Sequence, residues 1–125
     1  MAEQDKNTAL TIVSGNPGNT CDVRTFIDGS IRSQTILRTA AIGFGIYQPG
    51  WRWSLHAGPQ TGKSSGNHIG YVVSGRMMIK DASGKESEIE PGCAFEAGPD
   101  HDAWVLGDAQ CIALDFTPVS EGQIA

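Results

Sequence analysis

The chain has 125 residues, a formal net charge of −5 and 39% apolar residues. That suffices for one domain with one core. With no basic run longer than two residues, it argues against nucleic acid or an anionic membrane surface as a partner. Glycine, at 16 residues, is close to twice the usual share of ~7%, which points to many turns.

Residues 1–9 are polar and are expected to be a flexible N-terminus; 10–118 are expected to form a single domain, and 119–125 a tail. The first ten residues, MAEQDKNTAL, hold no apolar signal region, and no stretch approaches the ~18 apolar residues of a membrane helix. Short apolar segments then alternate with turn residues. Segment 10–14 precedes GNPGN, and 23–27 is stopped by Asp28-Gly29. Segments 33–38 and 40–47 follow, closed by Gln48-Pro49-Gly50. Next comes 51–56, then the polar stretch AGPQTGKSSGN. Segments 68–73 and 76–80 lead to the turn DASGK, and 86–90 to Pro91-Gly92. Segments 94–97, 103–106 and 110–116 complete the series.

Nine or ten short strands at roughly 8–12-residue spacing predict an all-β sandwich or barrel. No window sustains a helical apolar period, so little helix is expected. The best residual helix candidate, 30–39, is too rich in β-branched residues. Cys21, Cys93 and Cys111 are odd in number and have no CxxC spacing. Cys93 and Cys111 lie in apolar runs and read as small buried side chains. A disulfide framework is not expected, and a reducing, cytoplasmic setting is.

His56, His68 and His101 are the chain's only histidines, and each sits at or near a predicted strand. Imidazole is the commonest side-chain metal ligand, yet three spread over 46 residues converge only if a sheet brings them together. Alternation in WRWSLH puts Arg52, Ser54 and His56 on one face. His68 shares a face with Gly70, Val72 and Ser74, and His101 with Ala103 and Val105. Small neighbours leave room beside the imidazoles. Arg52 is a candidate anchor for a substrate carboxylate, with Ser54 beside it; the alternative is an arginine paired with an acidic side chain or at an interface. Trp51, Trp53, Trp104 and Tyr71 fall on the opposite faces and are expected in a core or interface. Glu96 as a further ligand is disfavoured by the turn between it and His101. AGPQTGKS at 57–64 matches a relaxed phosphate-loop pattern, but no helix is predicted after Lys63-Ser64 to supply the amides. Nucleotide hydrolysis is therefore rejected, and the stretch reads as a flap over the site.

These blocks resemble the cupin family. Tyr71-Val72-Val73-Ser74-Gly75 resembles the end of its first motif, which aligns His68 with the usual glutamate and His56 with one of the paired histidines. Pro91-Gly92-Cys93-Ala94-Phe95, followed by Gly98-Pro99-Asp100-His101, resembles its second motif. PGWRWS, GYVVSGR and HDAW together look like a branch of small single-domain cupins, over residues 40–117. The chain departs from the pattern in lacking one paired histidine, in carrying His in place of Glu, and in placing 11 residues between His56 and His68.

The resemblance implies an all-β, double-stranded β-helix (jelly-roll) barrel. It implies one divalent transition metal held by His56, His68 and His101, with a small organic ligand completing the shell. Three neutral imidazoles suit Fe, Zn, Ni, Cu or Co, and disfavour Mn, Mg and Ca. It also implies a homodimer, for which the apolar 35–47 region is a candidate surface. Three function classes stay open: a metal-dependent oxygenase, isomerase or lyase; a non-catalytic ligand-binding or sensing protein; and a metal-free interaction barrel.

Overall fold

The computed structural model describes residues 11–62 and 65–119. The expected flexible start at 1–9, and all of the expected tail except Val119, lie outside the described residues. The strands are β1 (Val23–Thr25), β2 (Ile31–Ile36), β3 (Ala40–Tyr47), β4 (His68–Ser74), β5 (Arg76–Lys80), β6 (Glu86–Ile89), β7 (Ala94–Ala97), β8 (Asp102–Leu106) and β9 (Cys111–Pro118). They form a six-stranded sheet of order β1-β2-β3-β9-β4-β7 and a three-stranded sheet of order β6-β5-β8. Every pairing is antiparallel.

The turns carry the residues their geometry needs. Between β1 and β2, Gly29 takes a positive φ of 90°. Asp28 there accepts hydrogen bonds from the Ser30 amide and hydroxyl. At the β4–β5 turn Gly75 has φ 75° and packs against another strand's backbone: a Cβ there would lie 2.7 Å from Cys111 Cα. Only glycine meets both demands.

Alternation in each strand sends one face inward. Val72 of β4 and Cys111 and Ala113 of β9 meet Met77 and Ile79 of β5 and Val105 of β8 in a single cluster, so both sheets feed one core. Phe26, Tyr47 and Trp51 extend it, with the Tyr47 and Trp51 ring centroids 4.4 Å apart. On β3 the inward positions are buried and the outward ones, among them Ile42, Phe44 and Ile46, are half-buried.

Two expectations need correction. The predicted first strand at 10–14 is irregular from residue 11 onward. The predicted strand at 51–56 exists only as an isolated bridge of Arg52 to Trp104. The chain then coils into a π-helical turn, Trp53–Ala57, and one turn of α-helix, α1 (Gly58–Thr61). The cause lies far off in sequence: Asp102 accepts hydrogen bonds from the Ser54 amide and hydroxyl and from Arg52 Nε. A carboxylate capping the first-turn amide favours helix over strand, and Pro59 starts the α-turn.

Candidate functional site

The interior of the large sheet is built from side chains that are missing. The inward residues of β3 are Ala41, Gly43, Gly45 and Tyr47, and those of β9 are Cys111, Ala113 and Asp115. The register sets Asp115 opposite Gly43 on one side and Gly70 on the other. A Cβ on Gly43 would come 2.5 Å from Arg32 Nη2 and 2.6 Å from both Asp115 oxygens. One on Gly45 would collide with the Tyr47 ring, and one on Gly70 with Phe95. The glycines thus admit Arg32, Asp115, Tyr47 and Phe95, which line a cavity of about 540 Å³, in the range of small-ligand sites.

Asp115 does not stand free in that space. Arg32 donates to it through Nε at 2.9 Å and Nη2 at 2.6 Å, a fork-on-carboxylate pair. The side chains are 25% and 12% exposed, so solvent screens them weakly. The hydrogen bond to Asp115 holds the guanidinium above its ordinary pKa. Burial likewise pushes the Tyr47 hydroxyl well above the usual phenol value, leaving it neutral.

On the same wall, His68 Nδ1 and His101 Nε2 stand 3.4 Å apart. His68 begins β4 and is paired with Ala97 of β7. His101 follows Asp100, which has a positive φ of 63°, at the turn where the chain passes from one sheet to the other. Ser65 fixes this turn: its carbonyl accepts from the Asp100 amide and its hydroxyl donates to the His101 carbonyl at 2.6 Å. The tautomers follow from the partners. His101 Nδ1 lies 2.7 Å from the Gly98 carbonyl, which only accepts, so Nδ1 carries the proton and Nε2 offers a lone pair. His68 Nδ1–H then points at that lone pair. Burial holds the His68 pKa below the ordinary imidazole value against the opposing pull of Asp115, with His101 and Arg32 adding to the lowering.

His56 does not join them. It sits in the π-helical turn, its Nδ1 accepts the Arg52 amide at 2.9 Å, and it is not among the cavity walls. Among the described residues no three or more His, Cys, Asp or Glu side chains are grouped to hold a metal ion. The expected three-imidazole set is thus a pair here, because coiling of 53–57 turns His56 away from its predicted strand face.

Arg52 and Ser54 are also placed otherwise than as substrate contacts. Both bind Asp102, and the Arg52 guanidinium lies 4.2 Å from the Trp104 ring centroid; neither lines the cavity. Burial alone would raise the Asp102 pKa, but hydrogen bonds from Ser54 and Arg52 outweigh it and hold the carboxyl low. Trp51 is buried in the core and, with Trp53, walls the cavity, whereas Tyr71 points outward. Glu96 is exposed. Cys111 is buried as expected, but Cys93, in a tight turn, is exposed.

Sequence reasoning passed over Arg24, Arg32 and Asp115, all on the cavity wall. A signal for the last two was present. Strand 40–47 reads AAIGFGIY, with glycine at alternate positions, and an apolar strand bared on one face leaves room for large polar neighbours.

No family model matches the chain, and no curated protein is similar to it in sequence. Its fold is that of solved cupins. KdgF from Halomonas sp. is 20% identical with a TM-score of 0.57, over 82% of this chain and 90% of that one. A sugar phosphate isomerase of the cupin superfamily from Silicibacter pomeroyi is 16% identical with a TM-score of 0.57, over 78% and 71%. An RmlC-like cupin from Shewanella frigidimarina is 14% identical with a TM-score of 0.54, over 78% and 82%. The architecture is therefore that of the cupin barrel, a double-stranded β-helix.

Proposed function

We propose that this chain binds a small organic ligand inside the barrel, with the His68–His101 pair as a polar anchor on the cavity wall. One observation carries this reading. Two imidazoles from different elements turn nitrogens toward each other across 3.4 Å, on the wall of a cavity of about 540 Å³. A barrel selected only for packing would fill that interior with aliphatic side chains, whereas here Gly43 and Gly45 make room for the polar Arg32, Asp115 and Tyr47 side chains on the cavity wall.

A divalent transition metal is the second reading, favoured by the same spacing. Two nitrogens bound at ~2.0–2.1 Å with a tetrahedral angle lie about 3.4 Å apart. The Gly98 carbonyl fixes the His101 tautomer as the backbone commonly does for metal-bound imidazoles. His68 and His101 would hold such a metal, and His56 would complete a three-histidine set only if the 53–57 turn opened. Bound there, a metal would polarise a ligand oxygen or acidify a bound water, which is what an oxygenase or isomerase would need. The protein's own residues fix the imidazoles, exclude water and hold a ligand in register.

With only three histidines, NMR of the imidazole C–H resonances tests both readings. Small organic probes are expected to shift His68 and His101 together and leave His56 unmoved; probes that move neither would refute ligand binding at the pair. For the metal, elemental analysis of untagged protein comes first, then thermal melts with excess Zn(II). Bound metal raises the melting temperature by mass action. His68→Ala and His101→Ala are expected to abolish the gain and His56→Ala to preserve it. Loss in all three variants would mean that the full three-histidine set forms, and no gain in the parent would remove the metal reading.

A further inference from the structure

The ladder between β1 and β2 sets Arg24 directly opposite Arg32, and both line the cavity. Like charges facing each other across strands oppose pairing, so this arrangement calls for a counter-charge. Asp115 supplies one, but both its oxygens are taken by Arg32 Nε and Nη2. Asp22, the other carboxylate acting on Arg32, is exposed and accepts from the Gln34 side chain. The Arg24 side chain has no hydrogen bond or ion pair among the described residues. Among the charged side chains that line the cavity, two guanidiniums stand against one carboxylate, with the exposed Asp22 outside that lining, in a chain whose net charge is −5. A second observation shows the same excess of donors. Trp51, on the cavity wall, keeps its buried indole N–H without a partner, the single such side-chain atom among the described residues.

We infer that Arg24 and Arg32 form an anion subsite at the cavity rim, which receives the carboxylate of a small ligand whose apolar body lies against Phe26 and Trp53. This rests on the cavity being a ligand site, and it names the ligand's class. The carboxylate follows from charge balance and shape. On the lining itself a monoanion balances two guanidiniums and one carboxylate, whereas a phosphate monoester dianion would add negative charge beside Asp115 and the nearby Asp22. A carboxylate also matches the planar guanidinium fork in two-point contact. Arg32 keeps Nη1 for it, and Arg24 keeps its whole fork. The aromatic walls suit a flat apolar body, and Gln60, which donates to the Thr25 carbonyl, ties α1 to β1 beside the arginines.

The test is a titration of the full chain with phenylacetate, phenylacetamide and phenyl phosphate at low salt, read by the emission of the cavity tryptophans and by the His68 and His101 resonances. Phenylacetate is expected to bind at least tenfold tighter than its amide, and Arg24→Gln to bring that ratio close to one. Arg24 is an exposed residue of a short edge strand, so its replacement leaves the core intact. If amide and acid bind equally to the parent, or if Arg24→Gln keeps the preference, the anion subsite is wrong while the ligand site stands. Tightest binding of phenyl phosphate would overturn the carboxylate assignment. If no probe binds the parent even at millimolar concentration, the ligand site falls and the subsite falls with it.

Discussion

Replacing Asp115 with alanine should expose how much of the barrel's stability depends on its internal ion pair. The substitution leaves Arg32, three-quarters covered, facing Arg24 across the ladder with only the exposed Asp22 as counter-charge. Exposed ion pairs couple by about 0.2–1 kcal/mol, whereas stripping one partner from a fully buried pair costs about 3–5 kcal/mol. With one partner at 25% and the other at 12% exposure, the expected loss is about 2–3 kcal/mol, between those limits. For a chain of this length that lowers Tm by roughly 10 °C. Urea unfolding of Arg32→Ala, Asp115→Ala and the double variant gives the coupling directly. The double variant should lose less than the sum of the singles, with a coupling near 2 kcal/mol that changes little between low and moderate salt. A coupling under about 1 kcal/mol, screened by salt, would place the pair in the surface class and refute the cavity electrostatics described above.

Three further outcomes are expected. In the metal-free protein His68 is held below the ordinary imidazole pKa by burial, so the unfolded chain takes up its proton first. Stability is then full above the ordinary histidine value and falls as pH drops through it; a urea midpoint that rises on acidification from pH 7.5 to 5.5 would contradict this, and His68→Gln should flatten the slope. Gly75→Ala combines a φ of 75° with a backbone contact and should cost about 2 kcal/mol or more in urea unfolding; a loss under 0.5 kcal/mol would mean the turn relaxes freely. A thiol reagent should modify Cys21 and Cys93 quickly in the native protein. Cys111 should react only on unfolding, since it is buried and its thiol is pushed up to about 11; three equally fast thiols would disprove that placement.

The sheets were legible because strand alternation and turn residues are local signals. Apolar runs at 40–47, 68–73, 76–80 and 110–116 became β3, β4, β5 and β9 with shifts of two residues or fewer. The failure at 51–56 has a definite cause: WRWSLH alternates like a strand, but its hydrogen-bonding partner is the Asp102 carboxylate, 48 residues from Ser54. Cys93 was misplaced for a related reason. Its apolar neighbours suggest burial, while the turn after Glu90 lifts it out.

Read alone, the residue pattern determined an acidic, turn-rich, all-β chain with histidines where strands begin, since period-two hydrophobicity and turn chemistry act over a few residues. Tertiary structure decided which groups meet: that His68 finds His101 while His56 does not, that Asp102 claims Arg52 and Ser54, and that Arg24, Arg32 and Asp115 share one interior. Those contacts depend on strand register and on a cap supplied from another strand. Neither is written in any window short enough to read directly.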